Sequence, residues 1–322
     1  MRSSSLVLNY NGLRLLEGCF STLGAATREG RDHDVYLVDN GSTDDSIAET
    51  ERRFPWVRCV RAPRNAFLYT YNDIVPTLDT EAVLLLNNDI LVEPDFIPPL
   101  LEHLHEPDVF AVNTRVLTGD RVTPQGSRTE GGYHRGLWWN NQLPDTDRTT
   151  SCFFALGGQA VFSRSKYLEL GGFDELLWPL YHEDIDLSYR AWRRGWRILY
   201  EPRSVLYHLG GQTSSSAYKA KQLKAIVDQN TFLIQWKNID DPQMRREHLL
   251  WLLPRLARAA VEGDTPLLKG FWSAARRLRQ MQARRAAEKP LRRISDREAF
   301  RRIMADINGS LSDEELSQEN VL

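Results

Sequence analysis

The spacing of apolar and polar positions changes along the chain. In the first 210 residues, short β-branched or leucine-rich runs alternate with stretches in which apolar residues recur at helical spacing. This alternation predicts strand, helix, strand units on a mostly parallel sheet, and so an α/β fold. The predicted strands are nearly continuous in apolar character, as strands buried on both faces are; they cover residues 5–9, 35–38, 56–61 and 82–86.

Helices are predicted between these strands. Residues 13–23 place Leu13, Leu16, Phe20 and Leu23 on one helical face. The other predicted elements are a helix through Arg53 capped by Ser42, Thr43 and Asp44, a helix over 96–105, a strand through Val161, helices over 163–170 and 184–195, and two short strands over 197–200 and 205–208.

The middle and the end of the chain depart from this pattern. Residues 118–150 are rich in Gly, Thr, Asn and Asp and have weak periodicity, which predicts long loops or irregular strands over a site. After residue 214 the pattern is helical. We therefore predict one domain over residues 1–238 and a basic, helical region over 239–322. Four prolines are expected to divide that region into short amphipathic helices; they are Pro242, Pro254, Pro266 and Pro290.

The composition narrows the class of protein. A chain of 322 residues with 42% apolar and 26% charged residues predicts an ordinary globular protein and excludes disorder, collagen-like repeats and a disulfide miniprotein. Three widely spaced cysteines without a Cys-x-x-Cys pattern argue against a disulfide framework and a cysteine zinc site. With no signal-peptide pattern and no apolar run of roughly 20 residues, we expect a cytoplasmic protein.

Charge is distributed unevenly. The net charge is −2, yet residues 245–302 hold 16 Lys or Arg and only 6 Asp or Glu, an excess of ten positive charges. Nucleic acid is not among the partners that we expect for this segment. Its amphipathic helices fit either packing on the enzyme and self-association, or peripheral contact with the inner face of an anionic membrane.

Several common site signatures are absent. The sequence has no Gly-x-Gly-x-x-Gly, no Walker loop, no His-Glu-x-x-His and no Gly-x-Ser-x-Gly. Dinucleotide oxidoreductases, P-loop enzymes, zincins and serine hydrolases are therefore disfavoured. Acidic and amide residues instead follow the predicted strands, and ligands of open α/β sheets bind at the carboxyl ends of strands.

Three such places are candidates for a site. Asp39 ends the second predicted strand, where a carboxylate can accept hydrogen bonds from a nucleobase or a ribose, or simply shape a turn. Asn87, Asn88 and Asp89 end the fourth, and such oxygen ligands suit Mg²⁺ or Mn²⁺ as well as a polar turn. In addition to these three places, His208 ends a later strand and fits a metal ligand or a core residue.

The third place is a cluster of acids at a predicted helix start. Glu183, Asp184 and Asp186 crowd three carboxylates into four residues, which costs repulsion and so predicts a partner or a task. General base catalysis is one such task. The alternative is capping by Asp184 with Glu183 and Asp186 solvated.

In its order of motifs the chain resembles the family 2 glycosyltransferases, the inverting enzymes of the GT-A fold, and particularly their rhamnosyltransferase-like branch. The resemblance covers residues from about 6 to 214. It is carried by Leu8-Asn9-Tyr10-Asn11-Gly12, Val38-Asp39-Asn40-Gly41-Ser42-Thr43-Asp44, Asn65 with Asn72, Leu86-Asn87-Asn88-Asp89, Gly157-Gly158, Gly171-Gly172-Phe173-Asp174-Glu175 and Glu183-Asp184-Ile185-Asp186-Leu187.

The resemblance implies an α/β GT-A fold with a C-terminal helical appendage, and a role for each matching residue. Asp39 would contact the base of a nucleotide sugar, and Asp89 would bind Mg²⁺ or Mn²⁺ with His208 completing the metal site. Asp184 would be the catalytic base and Glu183 would orient the acceptor. The implied donor pocket is lined by Tyr10, Asn11, Asn65, Asn87 and Asn88.

The implied function is that of an inverting, metal-dependent hexosyl- or deoxyhexosyltransferase. It would move a sugar from a UDP-, dTDP- or GDP-sugar to a glycan or lipid-linked acceptor in the synthesis of a cell-surface polysaccharide. Two alternatives stay open: a nucleotidyltransferase, and a non-catalytic carbohydrate-binding or scaffolding protein that retains the fold. A nucleotidyltransferase would need a lysine or arginine near the phosphates, in the loop after the first strand. In this sequence the nearest basic residue is Arg14, beyond that loop.

Overall fold

The computed structural model describes residues 1–27, 32–210 and 218–308. Contacts divide the chain into two compact units. The first comprises Met1–Arg128, Gln142–Phe173 and Arg197–Gly211, and the second comprises Thr129–Asn141, Asp174–Trp196 and Gln212–Leu322. The division at residue 238 and the end of the resemblance near residue 214 stay predictions. Residue 214 and residues 309–322 lie outside the described residues.

Eleven strands are found in the described residues. They are β1 Ser3–Asn9, β2 His33–Asp39, β3 Arg58–Arg61, β4 Ala82–Asn87, β5 Ile90–Val92, β6 Val109–Thr118, β7 Thr129–His134, β8 Leu137–Gln142, β9 Thr150–Ser151, β10 Gln159–Ser163 and β11 Arg197–His208. One sheet has the order β3-β2-β1-β4-β10-β6-β11-β5, with β9 on β11, and β7 pairs with β8 separately.

The helices alternate with the strands and then follow one another. They are α1 Leu13–Thr27, α2 Ser46–Arg53, α3 Tyr71–Ile74, α4 Ile97–His103, α5 Arg164–Glu169, α6 Glu183–Arg193, α7 Ala220–Asn238, α8 Pro242–Glu262, α9 Thr265–Arg276, α10 Leu278–Glu288 and α11 Asp296–Asn308. No helix among these residues is long and apolar enough to cross a bilayer.

The large sheet forms the core of the first unit. Strands β1, β2, β3 and β4 run parallel, whereas β10 runs antiparallel to both β4 and β6. Their apolar runs are buried, as Leu37 and Leu84 show, and α1 packs Leu16, Phe20 and Leu23 against them. The mixed α/β sheet confirms the predicted fold class, because continuous apolar strands need helices to cover them.

The predicted cap of α2 is wrong. The helix begins at Ser46, after Asp45, whose side chain makes no capping hydrogen bond. The carboxylate of Asp44 instead accepts hydrogen bonds from Ser46 N (3.2 Å) and from Leu13 N (3.1 Å). Asp44 therefore ties the start of α1 to this turn.

The two short strands predicted over 197–208 form one strand, β11. Its pairing with β6 shifts register between Glu201 and Val205. Charged residues are accommodated there, because buried Glu201 lies 2.6 Å from His103 Nε2 and 3.0 Å from Arg203 Nη2. A bulge with satisfied charges interrupts the pairing without ending the strand.

The segment 118–150, predicted as long loops or irregular strands, contains a regular hairpin, β7 and β8. The Tyr133 hydroxyl, on β7, donates a 2.5 Å hydrogen bond to Met244 O. Trp138 packs on Tyr189, with ring centroids 4.4 Å apart, and on Phe300. The hairpin was missed because its residues make their contacts with distant helices of the second unit.

Pro254 does not divide the C-terminal region, since it lies inside α8. A proline removes the bond to the carbonyl four residues earlier, here that of Leu250. Both residues lie on the exposed face of the helix. That carbonyl is therefore on the solvent side, where water can replace the missing donor.

Candidate active site

The carboxyl ends of β1 and β2 carry a pair of polar residues. The parallel register places Asn9 beside Asp39. Asn9 Nδ2 donates to Asp39 Oδ1 (3.3 Å), and Ser42 N donates to Asp39 Oδ2 (3.1 Å). Asp39 is completely buried, and Arg61 Nε lies 3.7 Å from Oδ2. The carboxylate is thus held in one orientation by the ends of two strands.

The same network reaches the end of β4. Asn88 Nδ2 donates a 2.7 Å hydrogen bond to Asn9 Oδ1. Gly12 lies against this contact, and a Cβ at that position would clash with both amide side chains. Asn88, Asn9 and Asp39 therefore form one buried polar chain across three neighbouring strands.

Asn11 joins the loops that follow β1 and β2. It adopts a left-handed conformation with φ 51°. Its Oδ1 accepts hydrogen bonds from Thr43 N (2.7 Å) and Asp44 N (3.3 Å), while its own N–H donates to Ser42 Oγ (2.9 Å). The neighbouring Tyr10 is exposed. Asn11 shapes the rim of this loop, and Tyr10 leaves its ring accessible to a ligand.

Asn65 lies in a separate loop with local contacts. Its Oδ1 accepts a 3.1 Å hydrogen bond from Phe67 N, and Asn40 Nδ2 donates to Phe67 O (3.2 Å). The loop is therefore fastened to the turn after β2. Nearby, Asn72 accepts from Phe173 N (2.9 Å) and donates to Phe173 O (2.8 Å).

Asp89 and His208 are brought together by strand pairing. The antiparallel register of β11 on β5 sets His208 opposite Ile90, so its ring reaches the residue before. His208 Nε2 lies 3.1 Å from Asp89 Oδ2, and Leu209 N donates to Asp89 O (2.8 Å). The other ring nitrogen, Nδ1, lies 2.8 Å from Gln125 Oε1.

This pair fits a divalent cation that takes part of its coordination from a ligand. A carboxylate and an imidazole both bind Mn²⁺, and metal-binding histidines commonly donate their second N–H to an oxygen, as Gln125 allows. In the described part of the chain, no group of three or more His, Cys, Asp or Glu side chains could hold a metal. Mg²⁺ and Mn²⁺ sites with few protein ligands use substrate phosphates and water.

Asn87 contacts Gly158, in the turn immediately before the neighbouring strand β10. Its N–H donates to Gly158 O (2.9 Å), and a Cβ on Gly158 would clash with its carboxamide. Gly158 therefore leaves room for an amide at the end of β4. Asn87 is half-buried and reaches the same strand end as Asn88 and Asp89.

The acids at the start of α6 have different surroundings. Glu183 is buried, and in the described chain its Oε2 has no hydrogen-bond partner. Burial, and then the charge of Asp184, raise the pKa of Glu183 to about 8. Asp184 is half-buried, and its Oδ1 accepts from Ile185 N (2.8 Å). Glu183 and Asp186 are both buried. The alternative in which these two acids are merely solvated is therefore wrong.

Asp186 is held by cations. It is fully buried and lies 2.6 Å from Lys237 Nζ and 2.9 Å from Arg190 Nε, and it accepts from Asn238 Nδ2 (2.7 Å). Although burial acts in the opposite direction, Lys237 and Arg190 lower the pKa of Asp186. Lys237 also lies 2.7 Å from Asp174 Oδ2. Asp186 is therefore a structural anchor.

Helix α7 also holds the segment that leads into α6. Asn230 Nδ2 donates to the carbonyl oxygens of Leu177 (2.6 Å), Leu180 (3.2 Å) and Tyr181 (2.9 Å). His182 Nε2 lies 3.0 Å from Thr231 Oγ1, and burial lowers the pKa of His182 to about 4. The backbone before Glu183 is thus fixed by α7.

The structure therefore groups some predicted residues and separates others. Within the first unit, Asn88 joins the network of Asp39, and Asp89 joins His208. Glu183 and Asp184 belong to the second unit. Sequence reasoning assigned no role in the site to Asn9, although it ends a buried strand as Asp39 does. It also missed Gln125, Asn230 and Lys237, for which no local pattern gave a signal.

Comparisons with known proteins agree with these motifs. The model of the family described as glycosyl transferase family 2 matches residues 4–171. An N-acetylglucosaminyl-diphospho-decaprenol L-rhamnosyltransferase of Mycobacterium tuberculosis is 28% identical over 229 residues, 62% of this chain and 73% of that protein. The chain also matches animal polypeptide N-acetylgalactosaminyltransferases, of which it spans about a third of the length, 31% of the human enzyme 3.

Solved structures are similar in fold. GalNAc-T7 with UDP, GalNAc and Mn²⁺ superposes with a TM-score of 0.61 at 15% identity, covering 82% of this chain and 58% of that one. The mannosyltransferase PcManGT of Pyrobaculum calidifontis, with GDP-Man and Mn²⁺, gives 0.54 at 18% identity over 95% and 87%. These neighbours show the GT-A fold. With more than half of its length matched by the family model and its motifs in place at the strand ends, the chain belongs to glycosyl transferase family 2 and is a glycosyltransferase.

Proposed function

We propose that this protein is an inverting, metal-dependent glycosyltransferase. It transfers a hexose or deoxyhexose from a nucleoside-diphosphate sugar to a hydroxyl of a glycan or lipid-linked acceptor, in the synthesis of a cell-surface polysaccharide. The observation that carries the proposal is the Asp89–His208 pair, 3.1 Å apart at a strand end next to the Asp39 network. Such a pair is suited to a cation on a diphosphate.

The ends of β1, β2 and β4 bind the donor. Asp39 presents a buried carboxylate to the N–H groups of a base or to ribose hydroxyls, and the Asn9–Asn88 contact holds it in place. The pocket is completed by Tyr10, Asn11, Asn65, Asn87 and Asn88. The structural neighbours bind UDP or GDP-Man, which supports UDP and GDP as candidate nucleotides. The sequence resemblance adds dTDP as a third candidate.

Asp89 and His208 would hold Mg²⁺ or Mn²⁺. When bound, such an ion neutralises the charge that develops on the departing diphosphate. The protein's own contribution is to orient both ligands: Gln125 positions the His208 ring, and Leu209 N holds the backbone oxygen of Asp89.

The base in this proposal is Asp184. Asp184 accepts the proton of the acceptor hydroxyl as its oxygen forms a bond to the anomeric carbon. The bond from that carbon to the diphosphate breaks, and its electron pair leaves with the diphosphate. One displacement inverts the anomeric configuration, and no covalent nucleophile is needed. Glu183, buried beside Asp184, orients the acceptor.

The proposed acceptor class is based on the rhamnosyltransferase relative. The name of that enzyme specifies a decaprenol-linked N-acetylglucosaminyl diphosphate. For this chain, a lipid-linked or glycan acceptor and a cytoplasmic place of action, at the inner face of a membrane, are parts of the proposal.

Calorimetry of nucleotide binding tests the proposal. UDP, dTDP and GDP are titrated with and without Mn²⁺, and the best ligand is repeated with Asp89→Ala and with the exposed control Asp95→Ala. We expect metal-dependent binding of one nucleotide that is lost in Asp89→Ala and kept in Asp95→Ala. If none of the three nucleotides binds, the non-catalytic scaffold is favoured and the site assignment fails.

A further inference from the structure

Helix α8 has an inner face that is firmly attached to the second unit. Met244, His248 and Ala259 are buried on it. His248 Nδ1 lies 2.6 Å from Gly136 O, and its Nε2 accepts a 2.8 Å hydrogen bond from Trp236 Nε1. These contacts fix the rotation of the helix about its axis, so its opposite face is defined.

That opposite face is apolar and exposed. The exposed fractions are 65% for Leu249, 74% for Leu250, 73% for Leu253 and 89% for Val261. At 100° per residue, these positions fall within about 120° of the helix circumference and extend over roughly 18 Å. Nothing in the described part of the chain covers this stripe, and exposed leucines in such an array are unusual for a free surface.

Basic residues lie at one end of the stripe. Arg245 and Arg246 are exposed at its N-terminal end and make no ion pair within the described residues, whereas Arg258 is paired with Glu262 at 2.8 Å. Trp251, 40% exposed, lies about 80° outside the stripe on the helix circumference, beneath the guanidinium of Arg135, 5.2 Å from its ring centroid. Unpaired arginines at the end of an apolar stripe are typical of helices in the membrane interface.

We propose that the outer face of α8 binds the surface of an anionic membrane, with the helix lying parallel to it. The leucines enter the boundary between headgroups and acyl chains, and Arg245 and Arg246 contact lipid phosphates. Lipid is favoured over a protein partner because unpaired arginines at the rim complement a negatively charged headgroup layer. The proposal rests on α8 alone, so it is tested separately from donor binding.

The experiment is flotation of the full chain with vesicles. Vesicles of phosphatidylglycerol and phosphatidylcholine are compared with vesicles of phosphatidylcholine alone, at about 0.15 M salt. We expect binding to the anionic vesicles, reduced by about tenfold or more in Leu250→Glu/Leu253→Glu. Val122→Glu is the matched control, because Val122 is 77% exposed in the first unit; it should bind as the parent does. Arg245→Gln/Arg246→Gln should lose the preference for anionic lipid.

Three results would overturn the proposal. The first is a lack of binding to anionic vesicles by the parent chain. The second is binding that Leu250→Glu/Leu253→Glu does not weaken, or that Val122→Glu weakens equally. The third is a dimer, seen by light scattering, that dissociates in the leucine variant while vesicles are not bound, since a second copy would then cover the stripe. Unchanged melting temperatures of the variants exclude unfolding as the cause.

Discussion

Lys237, on α7, places its ammonium 2.6 Å from the carboxylate of Asp186, on α6. The same ammonium lies 2.7 Å from Asp174, so one buried cation joins two acids that are 12 residues apart in sequence. Helix α7 therefore anchors both sides of the segment that carries Glu183 and Asp184. Repulsion within the acidic cluster is relieved at Asp186 by this cation and by Arg190.

Replacing Lys237 by methionine should destabilise the protein strongly. The change leaves two carboxylates with less compensation in a buried site, and breaking a buried pair in this way typically costs about 3–5 kcal/mol. Urea unfolding measures the loss. Lys224→Met is the control, because half-exposed Lys224 pairs with Asp228 and Asp264 at the surface and should contribute about 1 kcal/mol or less. Equal losses in the two variants would contradict a special role for Lys237.

Local patterns made the strand ends predictable. A buried apolar run followed by Asp39 or by Asn87-Asn88-Asp89 marks where a strand meets solvent, and the structure has both runs as strands. The sequence could not show which distant residues meet them. Contacts such as Lys237 with Asp174 or Gln125 with His208 join positions 63 and 83 residues apart, and only the folded topology brings these together.

Substituting Asp184 by asparagine should slow transfer strongly and leave binding of the donor nucleotide unchanged. An amide keeps the shape but cannot accept the proton of the acceptor, and a positioned base contributes about 10²- to 10⁴-fold. We expect kcat to fall by that factor, with nucleotide affinity unchanged within about twofold.

The matched control for Asp184→Asn is Glu175→Gln, an exposed acid in the same unit. It should transfer at the parent rate. Loss of nucleotide binding in Asp184→Asn, or a kcat equal to that of the control, would show that Asp184 is not the base.

The stability of the protein should depend on pH through Glu183. Its carboxyl titrates near 4.5 when the chain is unfolded, and burial beside Asp184 raises the pKa to about 8 in the folded state. Between these values the folded state binds more protons, so the free energy of unfolding falls as pH rises, by up to about 1.4 kcal/mol per pH unit. The contribution is fully present below about pH 4.5 and is lost as pH passes about 8.

Glu183→Gln removes this titration. Relative to the parent, its free energy of unfolding should rise steadily as pH increases from about 5 to 8, as urea unfolding at several pH values would show. Glu175→Gln, at an exposed position, should run parallel to the parent. A Glu183→Gln curve that is also parallel would mean that Glu183 is ionised in the folded protein.

Gln125 should act as a positioning residue for His208. Its Oε1 lies 2.8 Å from His208 Nδ1. This contact favours the orientation of the imidazole ring in which Nε2 faces Asp89. Loss of an orienting partner typically weakens metal binding by about 10- to 100-fold. In Gln125→Ala we expect the Mn²⁺ concentration needed for half-maximal transfer to rise by about that factor, with kcat at saturating Mn²⁺ close to the parent value. Gln282→Ala, at an exposed position in the second unit, is the control.

His208→Ala should shift the Mn²⁺ dependence at least as far, because it removes the ligand itself. If neither Gln125→Ala nor His208→Ala changes that dependence, the cation is held elsewhere and the Asp89–His208 pair is only a structural contact.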